Sequence, residues 1–175
     1  NSGAEAVECA IKMIRKYFYD QKKDKYEIIT FKGSFHGRTM ATISASCNKN
    51  ALEGFGPKLS GFKSAIFNDI ESVKKLINNK TAAILMEPIQ GEGGIIPASK
   101  QFIAEIKKIT KENDMLLAFD EVQCGVGRIG YLYGYEYYNI KPDILASAKG
   151  IGGGFPIGAC ISTKEAARGM TIGTH

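Results

Sequence analysis

Cysteine and histidine are scarce in this chain. The four cysteines, Cys9, Cys47, Cys124 and Cys160, stand far apart with no Cys-x-x-Cys pair, and only His36 and His175 could join them. Metal sites of the zinc type need such ligands in close groups, so one has little to build from. The same spacing reads as reduced, mostly buried thiols. Long hydrophobic runs are also lacking. No stretch is long enough to span a bilayer, and Asn1-Ser-Gly-Ala-Glu5 has neither the basic region nor the apolar core of a signal peptide. A cytoplasmic location without membrane partners is the expectation. Nor is there a basic stripe with interleaved aromatics. The formal charge of +5 comes from lysines mixed with acids, as in Lys22-Lys-Asp-Lys25, the pattern of a solvated face rather than a nucleic-acid surface.

What is present fits one domain, since 175 residues lie within the soft prior of about 100–200 per domain. Val7, Ala10, Ile11, Ile14 and Phe18 recur at helical spacing and predict a helix from Ala4 to about Tyr19, with Ser2 as its cap. A strand is expected at Tyr26–Phe31. Loop and short turns are expected from Thr42 to Lys63, then a strand at Ser64–Phe67 and a helix from the Asp69 cap to Asn79. A buried strand at Ala82–Met86 ends at Glu87, and Ser99 caps a helix running through Asn113. Strand and helix in alternation predict an α/β fold of three layers, a mostly parallel sheet flanked by helices.

Two further apolar runs end in charge: Met115-Leu-Leu-Ala-Phe-Asp120 and Asp143-Ile-Leu-Ala-Ser-Ala-Lys149, the latter followed by Gly150-Ile-Gly-Gly-Gly154. The C-terminal tips of strands are where open α/β sheets bind ligands, so Glu87, Asp120 and Lys149 become site candidates. A lysine amine can condense with an aldehyde, and a carboxylate can keep a pyridine nitrogen protonated, which together suit pyridoxal phosphate. Ordinary roles, a loop lysine and a turn carboxylate, remain open on spacing alone. The first turn of the leading helix offers the N–H groups of Gly3 and Ala4 beside the Ser2 hydroxyl, an anion site or simply a cap. In Gly33-Ser-Phe-His-Gly-Arg-Thr39, Phe35 could cover a flat ring and Arg38 could grip a carboxylate.

Gly125-Val-Gly-Arg-Ile-Gly130 matches a dinucleotide fingerprint, yet Tyr131-Leu-Tyr-Gly-Tyr-Glu-Tyr-Tyr138 follows in place of a clear amphipathic helix, so nicotinamide binding is set aside. Ser60-Gly-Phe-Lys63 matches a nucleophile motif but lies in a loop without partners.

Several stretches taken together resemble the class III, fold type I, pyridoxal-phosphate aminotransferases. They are Asn1-Ser-Gly-Ala-Glu5, Ser34-Phe-His-Gly-Arg-Thr39, Glu87-Pro-Ile-Gln-Gly-Glu-Gly-Gly94, Phe119-Asp-Glu-Val-Gln-Cys-Gly-Val-Gly-Arg128 and Ala148-Lys-Gly-Ile-Gly-Gly-Gly-Phe-Pro-Ile-Gly-Ala159, in the family's order. The resemblance implies pyridoxal 5'-phosphate as cofactor, with Lys149 bonded to it and moving the proton, and Asp120 on the ring nitrogen. It further implies Gln123 at the ring hydroxyl, Val122 and Phe35 on the two ring faces, Glu121 adjoining, and Ser2, Gly3 and Ala4 at the phosphate. Arg38 and Glu92 are implied on the substrate side. The amino donor implied is N-acetylornithine, with 2-oxoglutarate as acceptor, a step of arginine biosynthesis. Ornithine, succinylornithine and 4-aminobutyrate are the alternatives, and a non-catalytic relative is a further one. Val7 and Ile129 depart from the residues usual in relatives, with small effects expected at packing positions. Residues 1–175 are expected to be part of a cofactor-binding large domain, without the N-terminal segment and C-terminal small domain, and the whole protein to be a homodimer.

Overall fold

The computed structural model describes residues 1–175, and at its centre is a sheet of six strands. The strands are β1 (Glu27–Phe31), β2 (Phe62–Ala65), β3 (Thr81–Met86), β6 (Leu116–Asp120), β7 (Ile144–Ser147) and β8 (Ala159–Ser162), in spatial order β2-β1-β3-β6-β7-β8. All neighbours are parallel except β7 and β8. Two short strands, β4 (Ile89–Gln90) and β5 (Ile96–Pro97), form a separate antiparallel hairpin after β3.

Helices cover both faces. On one, α1 (Gly3–Asp20) buries the stripe formed by Val7, Ala10, Ile11, Ile14 and Phe18 against Ile28, Ala83, Leu85 and Ala146. Alongside it lies α2 (Met40–Ser46), which leads into a short α3 (Lys49–Leu52). On the other face, α4 (Ile70–Lys74), α5 (Lys100–Glu112) and α6 (Gly134–Tyr138) pack over Ile29, Phe31, Ile84, Leu117 and Phe119. Burial on both faces explains why β3 and β6 read as unbroken apolar runs rather than alternations. A fully buried side chain of the Ile, Leu or Phe class contributes about 1.5–3 kcal/mol, so these two layers hold the sheet together.

Local signals set the helix starts. The Ser99 hydroxyl accepts the Phe102 N–H at 3.1 Å, and the Asp69 carboxylate accepts from Glu71 and Ser72. Several expectations are corrected. Residues 42–63 are not merely loop, because α2 and α3 occupy their first part and β2 begins at Phe62. That strand therefore lies two residues ahead of the expected Ser64–Phe67, in the register that pairs Ile28 with Phe62. The helix after Asp69 stops at Lys74 instead of Asn79. Residues 134–138 do form a helix, although a short one. Of the four thiols only Cys124 is buried. No helix is long and apolar enough to cross a membrane.

Candidate active site

The strand order places the C-terminal tips of β1, β3, β6 and β7 side by side, and β1 sends its chain one way while β3 and its successors run the other. Such a reversal opens a crevice above the strand tips. A cavity of about 520 Å³ lies there, within the range of small-molecule sites. Ser2, Gly3, Ala4, Phe35, Arg38, Asp120, Val122, Gln123 and Lys149 all line it, joined by His36 and Glu87.

Asp120 closes β6 and is almost completely buried. Its Oδ1 accepts the Val122 N–H at 3.1 Å, and its Oδ2 lies 2.7 Å from His36 Nδ1. Both oxygens are thus fixed in direction. His36 is itself anchored, since its backbone N–H donates to Ser46 Oγ at 2.9 Å and the Ser46 hydroxyl donates to the Thr42 carbonyl within α2. The Nε2 of His36 is buried and has no partner in the protein. Sequence reasoning assigned His36 no role; its signal was the position between Phe35 and Arg38.

Glu87 at the tip of β3 is equally sealed. Its Oε2 accepts the Phe35 N–H at 3.0 Å and its Oε1 the Gly91 N–H at 3.3 Å. Burial pushes this carboxyl up to about 7; the nearby His36 acts against the rise and Asp120 adds to it.

Lys149 does not end its strand as expected. β7 stops at Ser147, and Lys149 opens a 3-10 turn to Gly152 with a left-handed φ of 49°, uncommon for a residue with a side chain. Its exposed ammonium donates to Gln123 Oε1 at 3.1 Å. Phe35 is half-buried, and the Arg38 guanidinium carbon stands 4.7 Å from its ring centroid. At the opposite wall, Gly3 and Ala4 begin α1, where N–H groups have no carbonyl one turn earlier. A Cβ on Gly3 would come within 2.6 Å of Val122 Cγ1, so the backbone there is close-packed against the β6 tip. The Ser2 hydroxyl is already engaged, donating to Glu5 Oε2 at 2.9 Å and accepting the Glu5 N–H at 3.2 Å.

Two expected residues stand apart from the cavity. Glu121 is fully buried, and its carboxylate accepts from the Gly134 and Tyr135 N–H groups at the start of α6. Burial raises the pKa of this carboxyl, and those two backbone donors oppose the rise. It turns away because consecutive residues at a strand end face opposite sides of the sheet, and Asp120 and Val122 take the cavity side. Glu92 is exposed and lines a smaller adjoining depression with Phe35 and Arg38.

The arrangement offers an exposed amine, a buried carboxylate fixed by a histidine, an aromatic wall and a helix N-terminus within one cavity. The acetylornithine aminotransferase of Agrobacterium fabrum is 55% identical over 176 residues, and the succinylornithine transaminase/acetylornithine aminotransferase of Pseudomonas aeruginosa is 48% identical over 176. Each alignment takes in 100% of this chain, but only 44% and 43% of the relative, so the chain spans less than half the length of these proteins. The crystal structure of the ornithine aminotransferase from Toxoplasma gondii superposes with a TM-score of 0.94 at 32% identity, covering 100% of this chain and 43% of the other. The family described as aminotransferase class-III matches residues 1–175, and the chain belongs to that family.

Proposed function

We propose that these residues form the cofactor-binding part of the large domain of an enzyme that transfers the amino group of N-acetylornithine to 2-oxoglutarate, with pyridoxal 5'-phosphate as resident cofactor. The products would be N-acetylglutamate semialdehyde and glutamate, a step of arginine biosynthesis. The observation that carries the reading is the convergence of Lys149 and Asp120 on one cavity. The names of the relatives in Agrobacterium and Pseudomonas support the choice of donor, and the second of them keeps succinylornithine as the closest alternative. Ornithine and 4-aminobutyrate follow. A homodimer in the cytoplasm accords with the family resemblance.

The residues present fit this cofactor. The buried Asp120 carboxylate suits a protonated ring nitrogen at the cavity floor, Lys149 lines the same cavity with an exposed amine, and the first backbone N–H groups of α1 at Gly3 and Ala4 border it as donors for an anionic tail. When bound, pyridoxal phosphate supplies an aldehyde that joins amines and a ring that draws electrons from the attached carbon. Lys149 Nζ would hold the aldehyde at rest and, once displaced by the donor, take a proton from the amine-bearing carbon of the substrate and deliver it to the carbon that was the cofactor's aldehyde. Asp120 would keep the ring nitrogen protonated, its carboxylate held in place by His36. Phe35 and Val122 would cover the ring and exclude water. Gln123 restrains the Lys149 amine, and Arg38 would bind a substrate carboxylate in a two-pronged contact. The donor leaves as an aldehyde, and the amino group passes to 2-oxoglutarate, so atoms and electrons balance over the two half-reactions.

The test is glutamate formation by the whole protein supplied with pyridoxal phosphate, 2-oxoglutarate and each of the four donors in turn. The highest kcat/KM is expected with N-acetylornithine. A higher value with another donor corrects the substrate, and no glutamate from any of them overturns the reaction.

A further inference from the structure

Strand β3 ends in a segment whose polar side chains face inward. Glu87 is buried at the cavity floor, where its two oxygens accept from two different loops: Phe35 N–H at 3.0 Å in the loop after β1, and Gly91 N–H at 3.3 Å in the turn that leads to Glu92. Three residues on, the buried Gln90 repeats the tie. Its Nε2 donates to the Lys32 carbonyl at 2.9 Å and to Ser34 Oγ at 3.3 Å. Two side chains from one short segment therefore hold the same loop, which carries Phe35, His36 and Arg38.

We propose that Glu87, seconded by Gln90, is a positioning residue of the active site: one carboxylate spans the cavity floor and fixes the loop bearing Phe35 and Arg38 against the turn bearing Glu92. The inference rests on the aminotransfer reading, because it makes the residues on these loops the ones that meet cofactor and substrate. Its physical basis is the two-acceptor geometry of a carboxylate, which an amide or a protonated acid cannot reproduce. Either of those keeps one good acceptor and turns a donor toward the second N–H. The side chain is sealed from solvent, so the lost contact is not replaced by water. Titratable or charged groups that face it are His36 and Asp120, with Cys124 nearby and Arg38 and Lys149 lining the same cavity. Protonation of Glu87, which burial brings into the neutral range, would release one of the two ties.

The experiment compares the wild-type whole protein with Glu87→Gln and Gln90→Ala. Thermal melting confirms folding. The readouts are the circular dichroism induced in the absorption band of bound pyridoxal phosphate, which senses ring orientation, and the separate effects on KM and kcat. In Glu87→Gln the induced signal should change and KM for the amino donor should rise about tenfold, while kcat falls less than about threefold. Raising the wild type from pH 6 to pH 8 should lower KM, and the variant should lack that part of the dependence. A folded Glu87→Gln with unchanged induced signal and KM overturns the proposal. Where that variant does not fold, Gln90→Ala decides, and an unchanged signal there overturns it equally. Failure of the wild type itself to take up pyridoxal phosphate sinks the aminotransfer reading instead. The brace is then read from backbone amide exchange at Phe35 and Gly91, which should quicken together in Glu87→Gln.

Discussion

His36 Nδ1 and Asp120 Oδ2 lie 2.7 Å apart although 84 positions separate them in the chain, and both side chains are shut off from solvent. Because the other carboxylate oxygen is taken by the Val122 N–H, the imidazole sets the remaining freedom of Asp120. A hydrogen bond to a charged group contributes about 1.5–3 kcal/mol, which makes this pair both a structural tie and a means of aiming the carboxylate.

Replacing His36 with alanine should therefore destabilise the whole protein by about 1.5–3 kcal/mol, read from urea denaturation. The affinity for pyridoxal phosphate should fall as well, by about tenfold or more, since a tenfold loss corresponds to roughly 1.4 kcal/mol. Equal affinity in a folded His36→Ala protein would remove His36 from the site.

Glu121→Ala should behave differently. Its carboxylate holds the start of α6 and stays away from the cavity. Loss of two buried acceptors should lower stability by about 1–3 kcal/mol, with cofactor affinity within about threefold of wild type. A large drop in affinity without a drop in stability would restore the contact with the cofactor expected from the sequence.

Glu87 makes stability depend on pH in a definite direction. Its carboxyl is raised from the ordinary 4.5 to about 7, so between these values the folded protein holds a proton that the unfolded chain has released. Stability contributed by that proton is complete below about 4.5, declines as pH rises through this window, and is gone above about 7. Denaturation midpoints at pH 5, 6, 7 and 8 should fall with rising pH more steeply in wild type than in Glu87→Gln. Parallel curves would contradict the buried, protonated carboxyl.

Gly3→Ala probes the helix N-terminus. A Cβ there meets Val122 Cγ1 at 2.6 Å, so either α1 or the tip of β6 must shift. Overpacking of this kind costs about 1–3 kcal/mol. Isothermal titration with pyridoxal phosphate should show weaker binding than wild type, and unchanged binding would place the phosphate elsewhere.

Much of this architecture is legible in the chain itself. Val7, Ile11, Ile14 and Phe18 mark α1 because one face of it meets the sheet, and the runs at 81–86 and 116–120 mark strands because both their faces are covered. Helix α2 gave no such stripe. Six of its seven residues, Ala41 to Ser46, are buried, all but Ile43 are small or hydroxylated, and the sheet holds it through a polar tie, the Thr30 hydroxyl donating to the Ala45 carbonyl at 2.6 Å. Lys149 and Asp120 stood out as charges closing apolar runs. The left-handed turn at Lys149 did not, since lysine has no preference for that conformation and only the surrounding fold imposes it. The direction of Glu121 was within reach, because strand alternation puts it opposite Asp120 and Val122. The His36 and Asp120 pair was not, as nothing local relates residues so far apart.

Borohydride reduction of the whole protein loaded with pyridoxal phosphate, followed by peptide mass mapping, addresses the central claim most directly. The account predicts a phosphopyridoxyl group fixed on the peptide containing Lys149 and no label in Lys149→Ala. A label on another lysine, or none in the wild type, would contradict it.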